Sequence, residues 1–495
     1  MNKKYFAYLK VKPLFPFLLP VFFVLHGFIH SYSSIPAGDA LLLTLFYIGI
    51  AFIIAGLSWL FYRDFVKACF IAFFLLAYQF FFGSIQDFLK GLSSNQFISQ
   101  YRFLLPVSLL VFSALIIWLK KRKRPLSVFT SYLNILLIIL ILFDAGRLVV
   151  KKIQYEKRVS LNLADKFIGC DTCKKPDIYL VLLDQYPSGI ALKEVFNFDN
   201  TAFENELDHR GFHLTKKSSC NYNLTPFSMA SILNMDYLGP EMGGKTHLNV
   251  SYSYDIVRNN RTVKFLTTSG YKFYNYSVFD FPGQPAHRYG SFFPYGTKLI
   301  SMQTFTGRLI NDIRADILIG KLKFKSLQKK IAYEHLHFND EIFDLTWNIP
   351  SEKTPAPKFV YAHFIMPHWP YYFDRKGNPM PLEKLSGFRK TNANDFIEYL
   401  QYSNGKVLQL VDHILATSPA PPIIILLSDH GFRHPEKETD RKYDFMNLNA
   451  IYLPDKNYSQ FPDSMTNVNL FRTLFNSCFN QQFALLKDST IDLWD

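Results

Sequence analysis

The hydrophobic and polar positions divide the chain into two halves. Before residue 150, five apolar stretches follow one another, each near the roughly 20 residues that a helix needs to cross a bilayer. They cover residues 14–31, 40–61, 66–85, 103–119 and 126–149. From about residue 175, short β-branched and aromatic runs alternate with helical stretches, which is typical of an α/β domain. We therefore predict a domain of five transmembrane helices in residues 1–150, a juxtamembrane linker in 151–175 and an α/β domain in 176–485.

Three apolar runs in the second half predict buried strands of a mostly parallel sheet. They are Asp177–Leu183, Lys358–Met366 and Pro422–Leu427. Residues 394–417 have the pattern of an amphipathic helix, the crossover that makes the last two strands parallel. Polar residues follow every run: Asp184, then Pro367-His368, then Ser428-Asp429-His430-Gly431. Because ligands of open α/β sheets bind at the carboxyl ends of the strands, we expect a site there.

A further candidate is the hydroxyl of Thr225. In the segment from Asn223 to Leu233, Thr225 suits the N-cap of a helix and Pro226 its first position. A hydroxyl there lies at the positive end of the helix dipole, which favours an alkoxide nucleophile and a bound phosphate-like anion. The alternative is a threonine that only caps the helix.

The positive charge is concentrated in the membrane half. The chain has 54 Lys and Arg against 40 Asp and Glu, a formal net charge of +14. Residues 1–158 contain 18 basic and 5 acidic residues, whereas the rest contains 36 and 35. A nucleic-acid partner is not expected, because the α/β domain has no excess of positive charge to neutralise phosphates.

The distribution of Lys and Arg also predicts the orientation in the membrane. Basic residues collect in 3–12, 63–67 and 120–124, which would be cytoplasmic, while the opposite loops hold Lys90 and Arg102. An odd number of spans then places the α/β domain outside. A second basic group opposes this rule and would lie against outer headgroups. It consists of Arg147, Lys151, Lys152, Lys157 and Arg158.

The cysteines fit an oxidising compartment. Cys170 and Cys173 form a C-x-x-C just before the first predicted strand, without matching His or Cys partners nearby. We therefore expect a local disulfide rather than a zinc site.

The strand ending at Asp184, the hydroxyl of Thr225 and the Ser428-Asp429-His430-Gly431 run together resemble the sulfatase-like branch of the alkaline phosphatase superfamily. With a five-span anchor, the chain resembles lipoteichoic acid synthases and the phosphoethanolamine transferases that modify lipid A. These transferases share a pattern of His, four residues, His, one residue, Pro, one residue and Tyr. The matching residues here are His363, His368, Pro370 and Tyr372.

The resemblance implies an alkaline-phosphatase-like α/β sandwich with a metal-dependent active site. Asp184, Asp429 and His430 would be metal ligands, and Thr225 would be both ligand and nucleophile. His363 and His368 would bind the substrate phosphate or a second ion. Carboxylate and imidazole ligands suit a divalent cation such as zinc or manganese.

Three features depart from these families. Asp184 stands where the two membrane families commonly have Glu, and the run Phe432-Arg433-His434-Pro435 lacks the later His ligand of the transferases. The number of ions therefore stays open. Residues 220–224 lack the C-x-P-x-R setting of sulfatases, so we do not expect sulfatase activity.

These observations together predict a phosphotransferase of the bacterial inner membrane with its catalytic domain on the periplasmic or extracellular side. It would act on envelope lipid or glycan phosphodiesters through a covalent phosphothreonine, with the bilayer and a phospholipid or lipid-linked glycan as partners. Two alternatives stay open: a phosphodiesterase or phosphatase-type hydrolase of the same fold, and a non-catalytic membrane protein for binding or assembly.

Overall fold

The structure is a computed structural model that describes residues 12–32, 34–92, 96–162, 167, 173–243, 248–287, 295–386, 392–433 and 439–493. The chain divides into two compact units. One consists of residues 1–157 together with 291–315, and the other of residues 158–290 together with 316–495.

The described α-helices and strands have the following bounds. The helices are α1 (Phe15–His30), α2 (Ala37–Tyr62), α3 (Phe65–Leu92), α4 (Tyr101–Lys121), α5 (Ser127–Asn162), α6 (Gly189–Phe196), α7 (Thr201–His209), α8 (Thr225–Asn234), α9 (Val250–Arg258), α10 (Arg261–Thr268), α11 (Lys298–Ser301), α12 (Phe305–Leu318), α13 (Lys325–Ala332), α14 (Glu334–Asn348), α15 (Leu382–Leu385), α16 (Ala393–Thr417) and α17 (Leu470–Phe479). The strands are β1 (Ile178–Leu183), β2 (His213–Leu214), β3 (Lys217–Ser219), β4 (Lys272–Tyr276), β5 (Lys358–Phe364), β6 (Ile423–Leu427), β7 (Asn449–Tyr452) and β8 (Ser464–Thr466).

The five predicted apolar stretches all form helices, α1 to α5. Among the described residues, α2, α3, α4 and α5 are long and apolar enough to cross a membrane. The first helix, α1, is apolar but has only 16 residues. At 1.5 Å per residue it is about 24 Å long, which is short of a hydrocarbon core of about 30 Å.

The helical unit has an aromatic core. Helices α1, α2 and α3 pack against one another, and the ring of Phe23 stacks on that of Phe80 with centroids 4.3 Å apart. Residues 295–315 belong to the same unit, where Ile300 is buried in this core. Nη1 of Arg308 in this segment also donates to Oδ1 of Asp87 in α3 at 2.8 Å.

The α/β unit is built on a six-stranded sheet in the order β2-β7-β6-β1-β5-β4. β4, β5, β1 and β6 are parallel, and β7 runs antiparallel to both of its neighbours. The sheet is therefore mostly parallel, as predicted. The three predicted strands correspond to β1, β5 and β6, with β1 between the other two.

Helices cover both faces of this sheet. Alternate residues of β1 face opposite sides: Tyr179 and Val181 pack in the core that includes α16, and Leu180 and Leu182 in the core that includes α8 and α17. The apolar face predicted for residues 394–417 is buried in α16. The predicted architecture, an N-terminal helical part and an α/β part around a mostly parallel sheet, is confirmed.

The described cysteines agree with the expected disulfide. Cys173 is disulfide-bonded, whereas Cys69, Cys220 and Cys478 are free. Cys170, the predicted partner, lies outside the described residues.

Candidate active site

The carboxyl ends of three strands meet at one edge of the main sheet. In the register of the sheet, Leu182 of β1 lies opposite both His363 of β5 and Leu427 of β6. Asp184 follows Leu182 by two residues, and Asp429 follows Leu427 by two. Parallel strands in this register therefore bring Asp184, His363 and Asp429 to the same edge, which the strand ends in the sequence predicted for Asp184 and Asp429.

Hydrogen bonds join the turn after β1 to the turn after β6. The amide of Gln185 donates to Oδ1 of Asp429 at 3.1 Å, and the amide of Tyr186 donates to Oγ of Ser428 at 2.8 Å. Oγ of Ser428 in turn donates to the carbonyl oxygen of His430 at 2.7 Å. Gln185 has a φ of 63°, a conformation that is uncommon outside glycine and is typical of functional sites when the surroundings enforce it.

Thr225 begins α8 and does not cap it. The N-cap is Leu224, with φ −128° and ψ 128°, and no side chain caps the helix. The prediction of Thr225 as N-cap and Pro226 as first helical residue is therefore wrong by one position. Pro226 is the second residue of the helix, where a proline is tolerated because the amide at this position has no acceptor within the helix either. The Thr225 hydroxyl lies instead 3.3 Å from Nε2 of His430.

Thr225, Asp184, Asp429 and His430 form one group. Nε2 of His430 lies 3.2 Å from Oδ2 of Asp429 and 3.8 Å from Oδ1 of Asp184. One ligand-type atom from each of Asp184, Asp429 and His430 lies within 4.8 Å of the others. The side chains of Asp429 and His430 are fully buried, and that of Asp184 is 13% exposed. The structure thus places these four side chains together.

The ring of His430 is neutral and presents a lone pair to this group. Nδ1 lies 2.8 Å from the carbonyl oxygen of Gly431, which can only accept, so Nδ1 carries the proton and Nε2 accepts from the Thr225 hydroxyl. Burial, reinforced by the charge of Arg433, lowers the pKa of His430 to about 4 against the pull of the two carboxylates. The ring is therefore uncharged at neutral pH.

Asp184 carries a negative charge at this site. Burial acts to raise the pKa of its carboxyl, but the electrostatic interaction with the nearby imidazoles, first that of His368 and then those of His363 and His430, outweighs burial and holds the pKa well below its usual value. The carboxylate is thus ionised across the physiological pH range.

Within the part of the chain that the structure describes, three buried polar atoms of the two carboxylates and of His363 lack a hydrogen-bond partner. They are Oδ1 of Asp184, Oδ2 of Asp429 and Nε2 of His363. Buried polar atoms are nearly always paired, and an unpaired one calls for a water or an ion. Two carboxylate oxygens without donors, next to the lone pair of His430, fit a bound cation.

The two further histidines lie beside Asp184. Nε2 of His363 is 3.8 Å from Oδ2 of Asp184, and its Nδ1 is 3.3 Å from the hydroxyl of Tyr361. Nδ1 of His368 lies 2.6 Å from the carbonyl oxygen of Trp369, and His368 interacts electrostatically with Asp184. The structure therefore places His363 next to Asp184 and His368 near enough to interact with it.

Two further residues of the site were not predicted from the sequence. Nη1 of Arg433 donates to the carbonyl oxygen of Asn223 at 3.0 Å, two residues before Thr225, and its buried Nε has no partner among the described residues. Oγ of Ser228 donates to the carbonyl oxygen of Asp429 at 2.5 Å. The available signals were the position of Arg433 in the run after Asp429, and of Ser228 one helical turn after Thr225.

The chain is similar to known proteins in its structure and not detectably in its sequence. No protein-family model matches the chain, and no curated protein matches it in sequence. The similar solved structures include the C-terminal periplasmic domain of EcEptC from Escherichia coli in complex with Zn, at 13% identity over 62% of this chain and 84% of that chain, with a TM-score of 0.38.

Two other similar structures have different descriptions. The integral membrane protein lipooligosaccharide phosphoethanolamine transferase A from Neisseria meningitidis is 9% identical over 92% of this chain and 95% of that chain, with a TM-score of 0.37. The phosphonate monoester hydrolase of Agrobacterium radiobacter is 12% identical over 61% of this chain and 74% of that chain, with a TM-score of 0.37. At these low identities and TM-scores, the residues at the sheet edge must carry any assignment of function.

Proposed function

We propose that the chain is a membrane-anchored, metal-dependent phosphotransferase that acts on phosphodiesters of envelope lipids or glycans through a phosphothreonine at Thr225. One observation carries the proposal: the Thr225 hydroxyl lies 3.3 Å from Nε2 of His430, in a buried group whose carboxylates, Asp184 and Asp429, have unpaired oxygens. A hydroxyl held against a neutral imidazole that borders two carboxylates is arranged as an activated nucleophile.

The ligand set suits a divalent cation such as zinc or manganese. Two ionised carboxylates this close together are costly to bury unless a cation neutralises them. Asp184, Asp429 and His430, together with Thr225, would hold the ion. When bound, such an ion lowers the pKa of a coordinated hydroxyl and draws charge off the phosphoryl oxygens.

The chemistry assigned to Thr225 has two steps. Oγ of Thr225 forms a bond to phosphorus and gives up its proton, while the bond from phosphorus to the leaving oxygen breaks and that oxygen takes up a proton. An acceptor hydroxyl then forms a bond to the same phosphorus and gives up its proton, while the Oγ–P bond breaks and Oγ of Thr225 takes up a proton. The start of α8 favours negative charge at this position throughout, because the positive end of the helix dipole lies there.

The remaining polar side chains are suited to hold the phosphate. Arg433 is a permanent cation with an unpaired buried Nε, and its planar fork matches phosphate oxygens. His363 and His368 both interact with Asp184 and would contact the substrate phosphate next to it. These three residues provide the donors that orient a phosphodiester for attack by Thr225.

The helical unit favours a lipid as the phosphate donor. Four of its helices are membrane-span candidates. An enzyme that is anchored in the membrane shares a surface with its lipid substrate, which raises the effective concentration of that substrate.

Intact-mass analysis of the full-length protein in detergent, after incubation with a total lipid extract of a bacterial envelope, tests the nucleophile. We expect a mass increase on the wild type and on Thr225→Ser, which keeps a hydroxyl, but none on Thr225→Ala. Thr267→Ala is the matched control, because among the described residues the Thr267 hydroxyl bonds carbonyl groups of its own helix, those of Val263 and Lys264. An adduct of equal yield on Thr225→Ala would remove Thr225 as the nucleophile.

The fate of the adduct separates the alternatives. A transferase passes the group to an added alcohol in preference to water, whereas a hydrolase releases it to water at a rate that added alcohols do not change. A protein for binding or assembly forms no adduct at all, and elemental analysis would find no stoichiometric divalent ion in it.

A further inference from the structure

A second group of charged side chains lies in the helical unit, where the C-terminal end of α1 faces α5. A cavity of about 610 Å³ opens there between His30 of α1 and the stretch of α5 from Leu142 to Gln154. Its volume is within the roughly 300–1,000 Å³ that is usual for small-molecule sites. None of the residues proposed for phosphotransfer belongs to it.

The lining of this cavity is polar in one part and apolar in the other. The polar part consists of His30, Arg147, Lys151 and Gln154. The apolar part includes Leu142 and Phe143, each 66% exposed, and Val150, 54% exposed. Cationic donors directly next to exposed apolar side chains on a membrane-span candidate match a ligand that has a charged head and a hydrocarbon chain.

Asp144 supports the polar part without cancelling its charge. The Asp144 side chain is 2% exposed; its Oδ1 accepts from Nη1 of Arg147 at 3.2 Å, and its Oδ2 lies 2.9 Å from Nδ1 of His26. This pairing fixes the position of Arg147. Lys151 lies one helical turn beyond and interacts electrostatically with His30. With two permanent cations and one carboxylate, the group carries a net positive charge.

The glycine in this stretch leaves room for a chain. A Cβ added to Gly146 would meet no atom within 4 Å, so the surface of α5 between Phe143 and Val150 is open. Gly146 also lines the cavity. An acyl chain can therefore lie along this face of α5 without displacing a side chain.

The predicted orientation places these ends of α1 and α5 at the outer membrane surface. Permanent cations there run against the tendency of Lys and Arg to stay on the cytoplasmic side. A bound anionic headgroup would offset that cost, because anionic lipids attract basic residues at the membrane surface.

We propose that this cavity binds an anionic phospholipid of the outer leaflet, with the headgroup phosphate against Arg147, Lys151 and His30 and an acyl chain over Gly146. The site is separate from the proposed phosphotransfer and does not depend on it. Its occupant is a resident lipid that the protein recognises by phosphate charge and chain together.

Native mass spectrometry of the delipidated full-length protein, titrated with phosphatidylglycerol, tests the headgroup contacts. We expect one tight binding event in the wild type and about fivefold weaker binding in Lys151→Gln, since one basic residue near the surface is worth about that factor. Lys152→Gln removes the same charge one residue away. Lys152 lies outside the lining, with its side chain 62% exposed and 3.8 Å from Glu156, so binding stays at the wild-type level.

The acyl chain is tested by filling the open face. Gly146→Leu places a side chain where the proposed chain lies, and we expect at least a tenfold loss of phosphatidylglycerol binding. Gly49→Leu in α2 is the matched control, because a Cβ there also meets no atom within 4 Å. Diacylglycerol with the same chains should bind at least fivefold more weakly than phosphatidylglycerol, and inorganic phosphate should not displace the lipid.

Several outcomes would overturn the proposal. An equal loss of phosphatidylglycerol binding in Lys151→Gln and Lys152→Gln would mean that the lipid responds to the general positive charge of the surface and not to a defined site. Equal binding of diacylglycerol would mean that the phosphate is not recognised, and displacement by inorganic phosphate would mean a site for a soluble anion. Should Lys151→Gln fail to elute as a folded protein, Gly146→Leu against Gly49→Leu decides the question, and unchanged binding in Gly146→Leu rejects the site.

Discussion

The two units of the molecule each bury a carboxylate next to an imidazole, and they satisfy it differently. In the helical unit both oxygens of Asp144 have protein partners, His26 at 2.9 Å and Arg147 at 3.2 Å. In the described part of the α/β unit, Oδ1 of Asp184 and Oδ2 of Asp429 have no hydrogen-bond partner. A carboxylate paired with a cation of the protein is complete as a structural element, whereas two neighbouring carboxylates with unpaired oxygens are suited to bind a cation from outside.

This difference shows what distinguishes a structural charge from a site. Residue types do not separate the two groups, since both contain Asp and His. The direction of the imidazole does: the His26 ring directs Nδ1 at Asp144, while the His430 ring commits its proton to the carbonyl of Gly431 and turns a lone pair toward two carboxylates. Removal of the metal ion should therefore affect the stability of the α/β unit and not that of the helical unit. Removal of a buried carboxylate charge should change the stability of the two units in opposite directions when no ion is bound.

Metal removal should give the largest effect. At an ion concentration a thousandfold above Kd, binding stabilises the folded α/β unit by about 4 kcal/mol, so we expect a chelator to lower the temperature of unfolding. Asp184→Asn and His430→Ala should lose both the bound ion and this response. Asp144→Asn should keep them, because Asp144 already has protein partners. Elemental analysis and thermal unfolding of the full-length protein, with and without chelator, measure the two quantities.

Either of two results would break the comparison. Full metal content in both Asp184→Asn and His430→Ala would mean that the ion binds elsewhere. Loss of the ion in Asp144→Asn would mean that the helical unit contains the metal site.

The second prediction is that removal of one carboxylate charge changes the stability of the protein in opposite directions at Asp144 and at Asp429 when a chelator is present. Asp144→Asn should destabilise the protein by about 2 kcal/mol, because it weakens the hydrogen bonds of a buried carboxylate with His26 and Arg147, whose side chains are 45% and 41% exposed. Asp429→Asn should stabilise the metal-free protein by about 1 kcal/mol, since an amide in place of Oδ2 could donate to Nε2 of His430, now 3.2 Å from that oxygen. Thermal unfolding in chelator measures both, and a loss of stability in Asp429→Asn would show that the carboxylate is needed without an ion.

The contrast also explains what the sequence could predict. The parallel strands β1, β5 and β6 were predictable because buried runs of mostly apolar residues end in polar ones, and a parallel sheet brings such ends to one edge. The meeting of Asp184 with Asp429 follows from that topology alone.

Other features depend on contacts that no local pattern encodes. The one-residue shift of the start of α8 follows from Leu224 staying extended while Thr225 contacts His430, a residue 205 positions away. The grouping of residues 295–315 with the helical unit rests on pairs such as Arg308 with Asp87, 221 positions apart. The role of Arg433 depends on the carbonyl of Asn223, and the pairing of Asp144 with His26 on the packing of α1 against α5.

The third prediction compares an arginine that lacks a carboxylate partner with one that has two. Among the described residues Arg433 donates to a carbonyl oxygen and keeps Nε unpaired, whereas Arg210 forms ion pairs with Asp412 and Glu206, both at 2.6 Å. Arg433→Gln should slow phosphoryl transfer about 30-fold, roughly 2 kcal/mol, because a charged donor to the phosphate is lost. Arg210→Gln should leave the rate unchanged. Single-turnover formation of the Thr225 adduct measures this, and equal effects of the two variants would mean that Arg433 is structural.

The smallest predicted effect separates a histidine that binds substrate from one that binds metal. His368 interacts with Asp184, and its Nδ1 is committed to the carbonyl of Trp369, so only Nε2 is left, and it donates to a phosphate oxygen when the ring carries both protons. His368→Asn should reduce kcat/KM about tenfold, chiefly through KM, because a hydrogen bond to the substrate of about 1.4 kcal/mol is lost. Metal content should stay at the wild-type level, and the exposed His209→Asn should change neither quantity. Loss of metal along with kcat in this variant would instead show that His368 is a metal ligand, in addition to His430.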